Sequence, residues 1–378
     1  MNAPQALHVT HIASGDLWAG AEVQLFTLCK ASRKLNGVIV SVILLNHGQL
    51  EQRLKALNID VTVLDETHLN GLQIGWRIIK HLRVTSPNIV HTHRIKENSI
   101  GGLSAWLNGI PSLRTAHGAP EHHPGWLRPH KRLLYLLDWI IGRYIQTSII
   151  AVSDDLKILL ETHYPTAKIK VIENGVDVEA LTPYVKPPSP DVRPENRTYK
   201  IGLVGRLVPV KRVDIFINMA AYIRRNHPEL KINFHIYGDG PLRGDLENMT
   251  KRLGLTHDVT FEGHTTDIYR QIASLDALLI TSDHEGLPMT LLETMLIGVP
   301  VISRKVGGIL RVCRDQNCYL VEGNSGEELA GKLISCLTNS RLTSETIKSA
   351  STSILKSYTA DKNARQFKEA YTTILNNH

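Results

Sequence analysis

"TPYVKPPSPDVRPENRT", residues 182–198, carries five prolines among polar side chains. Proline fixes φ and removes a backbone donor, so the run reads as a stiff, exposed linker that no sheet can absorb. On both sides of it the chain alternates between short β-rich runs and helical patterns. Before it, "LHVTHIA" (7–13), "VIVSVILL" (38–45), "VTVLD" (61–65), "NIVHTH" (88–93), "SLRTAH" (112–117) and "SIIAVS" (148–153) read as strands. Segments such as "QLFTLCKASRKL" and "GGLSAWLNG" read as crossover helices. After it the alternation restarts with "YKIGLVG", "KINFHIYG", "DVTFEG", "ALLITS" and "VPVIS". Strands separated by helices run parallel, because each crossover must pack on a sheet face. The expectation is an α/β protein with two doubly wound, Rossmann-like domains, 1–182 and 198–355, joined by residues 183–197. A terminal helix, 356–378, would pack back on the first domain. Sheets of this kind bind ligands beyond the carboxyl ends of their strands, so facing domains would form an interdomain cleft.

Composition agrees with two folded cores. The chain has 378 residues and 42% hydrophobic content, more than one typical domain needs. Its four cysteines (Cys29, Cys313, Cys318 and Cys336) form no C-x-x-C pair, which argues against a zinc ribbon and for a reducing cytoplasm. The start, "MNAPQALHVTHIAS", has no apolar core of a signal peptide, and no apolar run reaches the length of a membrane-spanning helix. The excess of 43 Lys plus Arg over 36 Asp plus Glu, a net +7, suits an anionic ligand or surface. Without an aromatic-interleaved basic stripe it does not indicate nucleic acid.

Two stretches of the second half concentrate chemistry. In "GLVGRLVPVKRVDIF" (202–216) a strand ends at Gly205, and Arg206 and Lys211 flank a turn before a helix. Two cations beside free helix N–H groups favour an anion. In "HEGLPMTLLETMLIGVPVI" (284–302), Glu285 follows an apolar strand, and Glu293 falls inside the helix that starts near Met289. Elsewhere the signals are weaker. His91 and His93 alternate on one strand face and His117 ends the next strand; with His122 and His123 they offer nitrogens but no spaced carboxylate or thiolate, so no metal is expected. Ser153 serves either as a cleft-edge residue or as a helix cap. "GEELAGKL" (326–333) imitates a P-loop, but Leu333 stands where Ser or Thr must hold magnesium. "GLVGRL" lacks the dinucleotide fingerprint of an oxidoreductase.

Taken together, "GRLVPVKRVD", "IYGDGPLRGDLENMTKRLGL" (236–255), "VTFEGHTTD" (259–267), "HEGLPMTLLE", "NGVD" (174–177) and "WAGAEVQ" (18–24) resemble, in order and along nearly the whole chain, the retaining glycosyltransferases of family 4. That family has two facing Rossmann-like domains, the GT-B fold. Three positions depart from its pattern: Ala19 for the first of two glycines, Arg212 for a glycine, and Arg311, in "GGILRVCRDQNCYLVEG" (307–323), for an acidic residue.

The resemblance implies transfer of a hexose-type sugar from a nucleoside diphosphate to a hydroxyl of a glycan or lipid-linked acceptor, in surface polysaccharide or lipopolysaccharide synthesis. The donor is a substrate, and no cofactor or metal is implied. It gives Arg206 and Lys211 to the diphosphate, with Gly20, Gly205 and Gly263 allowing close backbone approach. The turn Gly286, Leu287, Pro288 and the amides of Met289 and Thr290 complete the cradle. Glu293 holds the ribose and Glu285 the donor sugar near its reacting centre, with His117 beside that sugar. His93 and Asn174 lie on the acceptor side. A sugar-nucleotide epimerase of the same architecture and a non-catalytic nucleotide-sugar-binding protein are the alternatives. Two readings also stand for "PGWLRPHKRLLYLLDWIIGRYIQ" (124–146). Its spacing favours a crossover helix burying Leu133, Leu137 and Ile140; lipid-linked acceptors would favour a helix resting on the inner membrane face.

Overall fold

The computed structural model describes residues 6–118, 129–186, 197–314 and 316–378. The core of the proline-rich stretch, together with His122 and His123, lies outside them. The described residues form two compact units, one of residues 1–177 with 358–378 and the other of residues 178–357.

The first unit is built on seven parallel strands: β1 (Leu7–Ala13), β2 (Val38–Leu44), β3 (Asp60–Val63), β4 (Ile89–Thr92), β5 (Ser112–Ala116), β6 (Ser148–Ala151) and β7 (Ile169–Val171). Their order is β3-β2-β1-β4-β5-β6-β7. The second carries β8 (Tyr199–Val204), β9 (Ile232–Tyr237), β10 (Val259–Gly263), β11 (Ala277–Ile280), β12 (Val301–Arg304) and β13 (Tyr319–Val321), in the order β10-β9-β8-β11-β12-β13. Both sheets are doubly wound, with the strand order reversing beside the first strand of each. Loops there diverge to opposite faces and leave a crevice between β1 and β4, and between β8 and β11. The three-residue strands β7 and β13 had no legible sequence signal, since three residues cannot establish a period.

Burial on both faces explains the continuous apolar runs: all four residues of β11, "ALLI", are buried. Helix Val213–Asn226 shows the complementary pattern, burying Val213, Phe216, Ile217, Ala220 and Ile223 at helical spacing. Phe216 is 0% exposed and packs edge-on against Phe234 of β9; cutting it to alanine would cost about 3–5 kcal/mol. In the first unit, helix Ala360–Asn376 returns to the sheet. Phe367, Tyr371 and Ile374 join Leu28 and Ala31 of helix Gly20–Arg33 in one cluster over β1, β4 and β5.

One expectation fails. In helix Pro129–Ile140, Leu133, Leu137 and Ile140 are 58%, 42% and 36% exposed rather than buried against the sheet. Asp138 instead faces inward, paired with buried Arg114 at 2.7 Å. That pair occupies the inner face and turns the leucine stripe outward. Among the described residues, no helix is long and apolar enough to cross a membrane.

Candidate functional site

In the second unit, the carboxyl ends of β8 and β11 bring two distant loops together. The Asp283 amide donates to Val210 O at 2.8 Å, and Thr281 Oγ1 donates to Lys211 O at 2.8 Å. These bonds hold Lys211 so that its Nζ meets Glu285 Oε1 at 2.6 Å. Ser282 Oγ donates to the same oxygen at 2.6 Å. Glu285 is 8% exposed, and its Oε2 has no partner among the described residues. With Oε1 oriented by two donors, Oε2 remains able to accept from a ligand hydroxyl. A small cavity here is lined by Val204, Lys211, Ser282, Glu285, Pro288 and Thr290 among others.

Helix Met289–Ile297 starts beside that cavity. Pro288 is its N-cap in extended conformation and supplies no side-chain cap. The first amides, of Met289 and Thr290, therefore face an anion-favouring position. Glycine ends the helix: Gly298, at φ +87°, adopts the left-handed conformation that favours it. Glu293, one turn in, is 6% exposed and accepts from Tyr269 Oη at 3.1 Å. Burial pushes its carboxyl up to about 7, against a modest downward pull from Tyr269. Glu293 is thus a carboxyl that titrates near neutrality rather than a fixed anion.

The glycines around this site differ in what they do. An added Cβ on Gly307, at φ +48°, would lie 2.0 Å from Glu285 O, and the Gly308 amide donates to that oxygen at 3.1 Å. The Gly307–Gly308 turn therefore fixes the Glu285 backbone. Gly263, at φ +70°, ends β10 and accepts from the Gly238 amide at 2.8 Å. Gly205 follows β8, and Gly286 and Leu287 are buried in the turn before the helix. Arg206 is exposed immediately after Gly205. Arg212 adopts φ +46° and ψ +48°, which explains the glycine usual at that position. Its guanidinium compensates by bonding Asp214 at 3.0 Å and Asp283 at 3.2 Å.

In the first unit, Ala19 has φ −131° and ψ −175°, extended backbone open to any residue, so that departure carries no strain. Gly20 starts helix Gly20–Arg33, and an added Cβ would meet nothing within 4 Å. The chain itself does not demand glycine there. Glu22, whose carboxyl burial pushes upward, accepts from Arg94 just beyond β4. His93 and His117, just beyond β4 and β5, bond each other through Nδ1 and Nε2 at 3.3 Å. Burial, then Arg94, lowers His117 to about 4. Ser153 Oγ accepts from the Leu156 amide at 3.2 Å, which makes it a helix cap. Asn174 is buried after β7, three strands from β4 in the sheet order.

Several contributors escaped the sequence reading. Ser282 lies three residues before Glu285, and only the turn's conformation aims it back. Arg94 and Glu22 are 72 residues apart in the chain. His11 carried a readable signal: on a strand it shares the face of Leu7 and Val9 in "LHVTHIA".

The chain matches two family models, Glycosyltransferase Family 4 over residues 18–180 and Glycosyl transferases group 1 over residues 198–339. It is 27% identical over 304 residues to the UDP-Gal:alpha-D-GlcNAc-diphosphoundecaprenol alpha-1,3-galactosyltransferase of Escherichia coli, covering 78% of this chain and 77% of that one. It is 28% identical over 288 residues to an uncharacterized glycosyltransferase of Methanocaldococcus jannaschii, covering 72% and 71%. The crystal structure of Anabaena HepE in complex with UDP and glucose superposes with a TM-score of 0.81 at 20% identity, over 97% of this chain and all of that one. At that identity the likeness shows the fold, two Rossmann-like domains of GT-B type.

Proposed function

The chain belongs to glycosyltransferase family 4, and from that premise we propose that it transfers a sugar from a nucleoside-diphosphate sugar to a hydroxyl of a glycan or lipid-linked acceptor, retaining the anomeric configuration. The observation that carries this reading is the meeting of Lys211, Ser282 and Glu285 at the β8–β11 crevice, beside the open start of helix Met289–Ile297.

Departure of a nucleoside diphosphate builds negative charge on its β-phosphate, and fixed donors aimed there lower the barrier. Arg206, Lys211 and the amides of Met289 and Thr290 take that role, with Gly205 and Gly263 leaving room for the phosphates. These cations and amides carry the charge without a metal. Glu293 accepts from the ribose hydroxyls. Glu285 accepts from the donor sugar through Oε2, while Lys211 and Ser282 hold Oε1. His117 hydrogen-bonds the transferred sugar and Asn174 serves the acceptor side; His93, expected there too, has both ring nitrogens bonded to His11 and His117 and acts through the latter.

The acceptor class fits a second feature. Leu133, Leu137 and Ile140 stand exposed on helix Pro129–Ile140 and Trp106 on the preceding helix Ile95–Leu107, with Arg132 in the first of these and Arg143 just after it in the chain. The acids of those helices, Glu97 and Asp138, are buried. An exposed apolar stripe on helices whose own acids are buried suits the anionic inner surface of a membrane, where lipid-linked acceptors reside.

The test is incubation of the purified protein with UDP, GDP and ADP sugars and with glycan or polyprenyl-diphosphate acceptors. Mass spectrometry would detect the product and NMR would read its anomeric configuration. Transfer with retention is expected. Interconversion of donors without an acceptor would mean an epimerase, and donor binding with neither transfer nor hydrolysis would mean a binding protein.

A further inference from the structure

Along one face of the first sheet every second residue is apolar until the strands near their carboxyl ends, where the pattern turns to imidazole. The ladders read Leu7, Val9, His11 on β1; Ile89, His91, His93 on and after β4; and Leu113, Thr115, His117 on and after β5. His11, His91 and His93 are 1%, 0% and 4% exposed. His91 stacks 4.3 Å from His93 and His93 stacks 5.5 Å from His117, while His11 lies tilted 4.9 Å from His91. Burial is the leading cause that holds all four well below the ordinary histidine range. Near neutral pH each ring is therefore uncharged and carries one N–H and one lone pair.

The hydrogen bonds sort the four rings into two groups. His91 is closed off, with Nδ1 bonded to Tyr371 Oη at 2.8 Å and Nε2 to Thr115 Oγ1 at 2.7 Å. The other three form a chain: His11 Nδ1 meets His93 Nε2 at 3.0 Å, and His93 Nδ1 meets His117 Nε2 at 3.3 Å. A neutral His93 with both nitrogens engaged must donate at one end and accept at the other. Only two arrangements satisfy that demand. In one, His11 donates to His93 and His93 to His117, so His117 keeps its proton on Nδ1. In the other every proton runs the opposite way, and His117 Nδ1 is a lone pair. No other described residue bonds that Nδ1.

We propose that His11 and His93 are positioning residues that tie the tautomer of His117 to the direction of the chain, and so govern whether His117 donates to or accepts from its ligand. The proposal rests on the reading above that His117 hydrogen-bonds the transferred sugar. The nitrogens of His11, His91 and His93 lie within 4.8 Å of one another, a spacing that also suits a metal ion. Coordination by all three would have to break the bonds that already occupy His91 and His93, so the chain accounts for the cluster without one.

The test is two-part. Long-range ¹H–¹⁵N spectra of histidine-labelled protein, with His117 assigned through His117→Gln, read its tautomer without any substrate. One tautomer is expected in the native protein. A mixture is expected in His93→Phe, which keeps ring and volume but no hydrogen bond, and in His11→Phe, which breaks the other link. His93→Gln, retaining a donor and an acceptor, should restore part of the bias. His91→Phe removes an equally buried stacked ring outside the chain and should leave the tautomer unchanged. In transfer assays His93→Phe should lower kcat about tenfold with little change in donor KM. An unchanged tautomer in His93→Phe and His11→Phe overturns the proposal, as does stoichiometric zinc in the purified protein. A tautomer that shifts while kcat holds leaves the chain standing and overturns the role given to His117 in sugar transfer.

Discussion

Replacing Glu293 by glutamine should make the protein more stable at alkaline pH. In the folded protein burial raises its pKa from the ordinary 4.5 to about 7. The unfolded chain releases the proton near 4.5, so between these values the folded state binds more protons and stability falls as pH rises. The contribution is full below pH 4.5, declines through the window up to about 7 and levels off above it. For a single group with these two values, the loss between pH 5 and pH 9 is roughly 2.5 kcal/mol. Glutamine keeps the shape and an oxygen for Tyr269 but has no such titration. The assay is urea denaturation of both proteins at pH 5, 7 and 9 at fixed ionic strength. The stability difference between variant and native protein should move in the variant's favour by about that amount. Parallel stability curves would refute the reasoning, because they would mean that Glu293 ionises in the fold as easily as in water. The functional counterpart is a loss: ribose hydroxyls bind the ionised form, so nucleotide affinity of the native protein should rise towards pH 7 while that of the variant stays flatter.

Arg206→Ala and Lys211→Ala should each lower turnover on the order of a hundredfold, the loss of one transition-state donor; near-native rates in both would remove the diphosphate assignment. Glu285→Gln should cut sugar transfer severely while calorimetry finds nucleoside-diphosphate affinity almost intact. Glu293→Ala should weaken that affinity about ten- to a hundredfold, and equal losses of affinity in both variants would contradict the division of roles. Gly307→Ala places a Cβ 2.0 Å from Glu285 O at φ +48° and should cost at least about 1–3 kcal/mol, with transfer falling too. Gly331→Ala, mid-helix with nothing within 4 Å, should instead stabilise by about 0.5–1 kcal/mol. Equal thermal shifts for the two alanines would show that the Gly307 turn is not the constraint described.

The sequence by itself determined what depends on neighbours along the chain. Period-2 and apolar runs marked eleven of the strands, their alternation with helices made both sheets parallel, and the turns at Gly205 and Gly286 followed strands that flank the β8–β11 crevice. Arg206, Lys211 and Glu285 were legible because each sits at a strand-to-helix junction whose local geometry is fixed by a few residues, and Glu293 because it lies one turn into the helix that follows. Strand order was decided only in three dimensions. Nothing local says that β8 lies beside β11, and only that pairing brings Lys211 to Glu285, 74 residues away. The same holds for the histidine chain, since β1 must lie beside β4, and β4 beside β5, before His11, His93 and His117 can meet. Burial, too, belongs to the fold. The outward turn of Leu133, Leu137 and Ile140 follows from the Arg114–Asp138 pair, whose members are 24 residues apart. The raised pKa of Glu293 follows from how little water reaches its helix face, and solvation is set by everything packed around a group rather than by its place in the sequence.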